Sequence, residues 1–226
     1  MTEIIAHRGA SADAHENTLA AFMRALDQGA DGIELDVHAT RDGVVVVHHD
    51  PVLRLAGGSP RPIAGVSSGD VAAVRLGSGD PIPTLDETLA LVGDRAIVYV
   101  EVKAAGIEAA LVASLRRHPG CRTAVHAFDH RIPEAVRDAL PGLSIGFLSA
   151  SYPLDADALL GPGAPQALCQ HTDMIDPALV QAAHTRGIRV VAWTENDPAR
   201  ARALIAMGVD AICTDTPGLL RARLAG

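Results

Sequence analysis

The sequence predicts an α/β protein built as a (β/α)8 barrel, with a hairpin after its second strand. Three observations predict it. Short β-branched or apolar runs alternate with amphipathic helical stretches along nearly the whole chain. Eight such strand-then-helix units follow one another, which is the pattern of a parallel sheet with crossover helices. The 226 residues fit one closed barrel of the usual ~200–250 residues and leave no room for a second full domain. A doubly wound open sheet is the runner-up.

The strands, in order, are EIIAH (3–7), GIELDVH (32–38), VVVVHH (44–49), AIVYVEV (96–102), TAVHAF (123–128), SIGFLS (144–149), ALCQH (167–171), RVVAW (189–193) and DAICTD (210–215). NTLAAFMRALDQG, TLDETLALVGD, IEAALVASLRRH, IPEAVRDALPG, DPALVQAAHTRG and DPARARALIAMG read as helices, most of them with capping residues at the start and glycine at the stop. Only ATRDG separates 32–38 from 44–49. That is too short for a parallel crossover, so these two strands form an antiparallel hairpin turning at Asp42-Gly43. Such a turn sets His49 opposite Asp36, and removing its return arm from the count leaves eight staves.

Chemistry in a barrel of this kind sits at the C-terminal ends of the strands, and a buried charge anywhere else needs a partner. His7 and Arg8 end the first stave, Glu34 and Asp36 lie late in the second, and Glu101 and Lys103 end the third. Lys103 is the only lysine in the chain. Residues two apart on a strand share a face, so Glu34 and Asp36 point the same way, as do Glu101 and Lys103. Three carboxylates then converge on one rim, where their repulsion calls for a cation. An all-oxygen set without thiolate suits Mg2+ or Ca2+ better than zinc. The bland alternative is structural ion pairing of Glu34 or Glu101 with Arg8 or Lys103. His7 and His49 flank the cluster as two imidazoles suited to proton transfer near neutral pH. Bottom-up, the set reads as metal-assisted phosphodiester chemistry.

Composition agrees with an ordinary soluble globular protein: 48% hydrophobic and 20% charged residues, with a net charge of −8. An acidic chain disfavours nucleic acid or an anionic membrane as the main partner. Cys121, Cys169 and Cys213 are widely spaced and odd in number, so they read as small core residues rather than disulfides or a zinc knuckle. The opening MTEIIAHRG has no leader-like pattern, and no apolar run approaches ~18 residues, which together point to a cytoplasmic protein without stable membrane insertion.

The segments AHRGASADAHENTLAAF, ELDVHATRDGVVVVHHDP, IPTLDETLALV, VEVK, HAFD, VVAWTEN and GVDAICTDTP, in that order, resemble the glycerophosphodiester phosphodiesterase family across essentially the whole chain. The resemblance implies a single TIM-barrel domain over 1–226 with a small inserted, lid-like segment at about 50–80. It implies cleavage of a small-molecule glycerophosphodiester, such as glycerophosphocholine or glycerophosphoethanolamine, to sn-glycerol 3-phosphate and an alcohol. By motif, His7 and His49 would be the acid–base pair and Glu34, Asp36 and Glu101 the ligands of a divalent cation. Arg8 and Lys103 would meet the phosphate, and Trp193 would line the glycerol pocket. Two departures bear on specificity. Leu55, Ala56 and Gly57 stand where the family often has arginine and threonines, and His15 replaces the proline of a PENT motif. A lysophospholipid-cleaving enzyme, which would need an apolar rim, and a catalytically silent barrel are the competing readings.

Overall fold

The computed structural model describes residues 2–54, 59–153, 163 and 165–224. Its elements run β1 (Glu3–Ala6), α1 (Leu19–Asp27), β2 (Gly32–Ala39), β3 (Val45–Val47), β4 (Val52–Arg54), β5 (Pro60–Pro62), α2 (Ser68–Ala72), α3 (Leu85–Val92), β6 (Ile97–Val102) and α4 (Glu108–Arg117). They continue with β7 (Thr123–Ala127), α5 (Arg131–Ala139), β8 (Ser144–Ser149), β9 (Ala167–His171), α6 (Pro177–Thr185), β10 (Arg189–Trp193), α7 (Pro198–Ala206), β11 (Ala211–Thr214) and α8 (Pro217–Leu224). Strands β1, β2 and β6 to β11 pair in parallel, and β1 bonds to both β2 and β11, so the sheet closes into the eight-stave barrel.

Local chemistry fixes the helix starts. Thr18 accepts a hydrogen bond from the Ala21 N–H, and Thr84 and Glu87 form a reciprocal capping box. Asp176 and Asp197 cap helices whose first turn carries proline.

Strand alternation separates two layers. Ile33, Leu35, Val37, Val98, Val100, Val102 and Val125 pack outward with Phe22, Leu89 and Leu111 of the helices. The opposite parity faces inward, where Ile5, Tyr99, Leu148, Cys169, Val191 and Cys213 fill the barrel. Glu34, Asp36, Glu101 and His126 share that inward parity, above an apolar floor. Cys169 and Cys213 are buried core thiols, as expected, and Cys121 is half-buried.

The hairpin differs from expectation by one residue. β2 and β3 pair Val37 with Val47, His38 with Val46 and Ala39 with Val45, so His48 and not His49 lies opposite Asp36. The cause is the turn. Thr40 and Val44 pair across a three-residue loop, and Gly43, at φ 81°, closes it by donating to the Thr40 carbonyl at 2.9 Å. A three-residue loop ending in a left-handed glycine shifts the register relative to a two-residue turn.

The inserted segment contains elements that the sequence reading did not anticipate: the β4–β5 hairpin and the short α2, whose Leu53, Ile63, Val66 and Val71 pack on Val46 and Ile82. The departures at Leu55, Ala56 and Gly57 lie outside the described residues. Helix α8 was also not anticipated. Among the described residues no helix is long and apolar enough to cross a membrane.

Gly9 lets the loop after β1 lie directly on α1. Its φ is +83°, and a Cβ there would sit 2.7 Å from the Ala21 backbone carbon. Gly9→Ala is therefore expected to cost about 1–3 kcal/mol, the usual range for overpacking, as a lowered urea midpoint with unchanged slope. An unchanged midpoint would show that the loop can move off the helix.

Candidate active site

The end of β1 enters the site through a strained turn. Arg8 adopts φ 55° and Asn17 φ 57°, both in the left-handed region that non-glycine residues avoid. The turn aims the Arg8 N–H at Glu34 Oε2, 3.0 Å away. The Arg8 guanidinium meanwhile spans Glu16 Oε1 at 3.0 Å and Asp36 Oδ2 at 3.2 Å. Asn17 Nδ2 donates to the same Asp36 oxygen at 2.8 Å.

Lys103 completes the ring of charge. Its Nζ lies 2.6 Å from Glu101 Oε1 and 3.4 Å from Asp36 Oδ1. Asp36 is thus held between Arg8 and Lys103. Burial opposes its ionisation, but Arg8, the Asn17 hydrogen bond and Lys103 outweigh it and keep the carboxyl below the ordinary range.

Glu34 and Glu101 behave oppositely. Burial first, then repulsion from Asp36 and Glu101, pushes Glu34 well up; burial and Asp36 likewise raise Glu101 in spite of Lys103. Glu34 Oε1 is buried and has no hydrogen-bond partner. It faces His126 Nε2 at 4.0 Å, and donor atoms of Glu34, Glu101 and His126 all lie within 4.8 Å of one another. An orphaned carboxylate oxygen among mutually repelling carboxylates is the environment a cation relieves, so the carboxylates fit one.

The two expected imidazoles are held differently. His7 Nδ1 is 2.7 Å from Asp215 Oδ1, which also accepts from Ser11 Oγ at 3.0 Å, while Asn196 Nδ2 donates to Asp215 Oδ2 at 2.6 Å. That fixes the ring through one nitrogen. His49 Nδ1 is 2.8 Å from Asp50, whose carboxylate is exposed. Although the register placed His48 opposite Asp36, His49 lies beyond the last strand pair and still acts electrostatically on the Asp36 carboxylate. Its carbonyl accepts from His38 Nε2 at 3.1 Å. His15 stands at the entrance of α1, its carbonyl accepting from the cap Thr18.

Below the charges lies a small pocket lined by His7, Glu34, Glu101, His126, Trp193 and the apolar floor. Trp193 Nε1 donates to the Cys169 carbonyl at 2.9 Å, and its ring meets Phe128 and His171 edge-on. These contacts pin the indole at the pocket wall. Sequence reasoning missed His126 and Asp215. Both lie late in strands already marked as staves, His126 in register with Glu101, so strand parity was the signal that could have found His126.

Asp215 gives a pH test. The hydrogen bond from His7, with those from Asn196 and Ser11, lowers its pKa to about 2, below the roughly 3.9 of an unfolded chain. The stability it confers is full above about pH 4 and lost as pH falls towards 2. Asp215→Asn is expected to flatten the dependence of urea stability on pH in that window; an unchanged curve would show that the pairing is absent in solution.

The model of the glycerophosphoryl diester phosphodiesterase family matches residues 7–219. A glycerophosphodiester phosphodiesterase of Caldanaerobacter subterraneus subsp. tengcongensis is 33% identical over 97% of this chain and 96% of its own. An Oleispira antarctica phosphodiesterase, solved in complex with the product sn-glycerol-3-phosphate, superposes with a TM-score of 0.91 at 27% identity, covering 100% of this chain and 98% of that one. The Thermotoga maritima glycerophosphodiester phosphodiesterase gives 0.83 at 27% identity, with 98% of both chains covered. The chain belongs to the glycerophosphoryl diester phosphodiesterase family.

Proposed function

We propose that this protein hydrolyses glycerophosphodiesters, deacylated phospholipid head groups such as glycerophosphocholine or glycerophosphoethanolamine, to sn-glycerol 3-phosphate and an alcohol in the cytoplasm. The observation that carries the reading is the set of buried Glu34 and Asp36 with half-buried Glu101 beside Arg8 and Lys103, with His7 and His49 at the rim. The product complex of the Oleispira relative supports the same reaction class.

Glu34, Asp36 and Glu101 would hold a divalent cation, with Mg2+ and Ca2+ the fits for carboxylate donors. Bound there, the ion would polarise the phosphoryl oxygens and offset the negative charge that builds up on them. Arg8 and Lys103 bind the phosphate as fixed cations, with their carboxylate partners keeping both charged. One imidazole takes the proton from the attacking oxygen, a new P–O bond forms as the bond to the head-group oxygen breaks, and the other imidazole protonates that leaving oxygen. Asp215 holds His7 in place for this exchange, and Trp193 packs against the glycerol moiety. The segment at 50–80 follows directly on the hairpin that carries His49, which suits it to cover the pocket.

The test is release of sn-glycerol 3-phosphate from glycerophosphocholine by chelator-stripped protein, with and without added divalent ion. Release is expected only with the ion. Glu101→Gln should stay folded and lose most turnover, and His49→Ala should slow the rate by roughly 10²–10⁴-fold, the usual worth of a general acid or base. Full activity of Glu101→Gln would remove the ligand assignment, and full activity of His49→Ala would remove the acid–base one. Turnover of lysophospholipids in preference to deacylated substrates would move the substrate class to the competing reading.

A further inference from the structure

The inward face of β7 carries one polar side chain, His126, and none of the roles assigned above uses it. It is buried at 4% exposure, aligned in the ladder with Glu101. Its ring makes no side-chain hydrogen bond among the described residues; Tyr99 is its aromatic neighbour, at 6.4 Å between centroids. A buried imidazole held for packing alone normally finds a hydrogen-bond partner. Here Nε2 is aimed at Glu34 Oε1, itself buried and unpartnered, across 4.0 Å, a gap too long for a hydrogen bond.

The spacing fits a shared ion. Donors around a divalent ion at ~2.1 Å are about 3 Å apart when adjacent and about 4.2 Å apart when opposite. The donor atoms of Glu34, Glu101 and His126 all fall within 4.8 Å of one another, so small side-chain rotations bring them onto one centre.

We propose that His126 is a metal ligand alongside Glu34 and Glu101, and that its nitrogen makes the site favour Mn2+ over Ca2+ and Mg2+. The inference rests on the metal-assisted reading above and refines the identity of the ion. Imidazole suits transition ions, whereas Ca2+ and Mg2+ take oxygen donors almost exclusively.

The experiment compares chelator-stripped wild-type protein with His126→Gln, titrating Mn2+, Mg2+ and Ca2+ separately by calorimetry and recording electron spin-echo modulation of bound Mn2+. Wild-type protein is expected to bind Mn2+ tighter than Ca2+ and Mg2+ and to show imidazole 14N coupling to the ion. His126→Gln should lose that coupling and weaken Mn2+ binding by at least roughly 10-fold, with Ca2+ binding little changed. Unaltered coupling and Mn2+ affinity in the variant would overturn the proposal. So would wild-type protein that binds Ca2+ or Mg2+ as tightly as Mn2+, or Mn2+ without nitrogen coupling, a result that needs no variant to fold. If wild-type protein binds no divalent ion and still releases sn-glycerol 3-phosphate, the metal-assisted reading itself fails together with this one.

Discussion

Three carboxylates on the inward face of two adjacent strands set the terms for the rest of this molecule. Burying one ion in a protein interior costs several kcal/mol even after relaxation, and like charges add to the cost. The fold answers with two fixed cations. Arg8 serves Asp36 and Glu16 with its guanidinium and Glu34 with its backbone N–H, while Lys103 bridges Glu101 and Asp36. The compensation is incomplete, since Glu34 and Glu101 remain raised and one Glu34 oxygen has no partner. That residual deficit of positive charge connects the packing to the function.

The barrel makes such a deficit tolerable. Its outer layer buries apolar side chains against the helices, and its inner floor of Ile5, Leu148, Cys169, Val191 and Cys213 closes the lower side of the pocket. The charged groups are therefore rigid from below and open only towards the strand ends. The left-handed backbone of Arg8 and Asn17 belongs to the same design. Strain at these two residues is stored where the turn must deliver an N–H to one carboxylate and a side-chain amide to another.

Much of this was legible in the sequence because a strand repeats every two residues. The spacing of Glu34 with Asp36 and of Glu101 with Lys103 places each pair on one face, and strand ends mark the chemical rim of a barrel. Three things were not legible. The hairpin register depends on whether Arg41 belongs to the turn, and Asp42-Gly43 alone does not distinguish a two-residue from a three-residue loop. His126 stands alone among apolar neighbours in TAVHAF, and its relation to Glu101 exists only once β6 and β7 pair. Asp215 was hidden for a similar reason, because its partner His7 lies 208 residues away and meets it only when the barrel closes. Local periodicity reports which face a side chain occupies; contacts across the closing seam require the fold.

The central claim is that the uncompensated carboxylates hold a cation next to the phosphate that Arg8 and Lys103 bind. The most direct measurement is a crystal structure of the protein soaked with Mn2+ and sn-glycerol 3-phosphate, with anomalous data collected for manganese. The account predicts one strong anomalous peak between the Glu34 and Glu101 carboxylates, with the phosphate group within reach of Arg8 and Lys103. A phosphate bound there with no anomalous peak between those carboxylates would contradict it, and would make the cluster a structural ion-pair network.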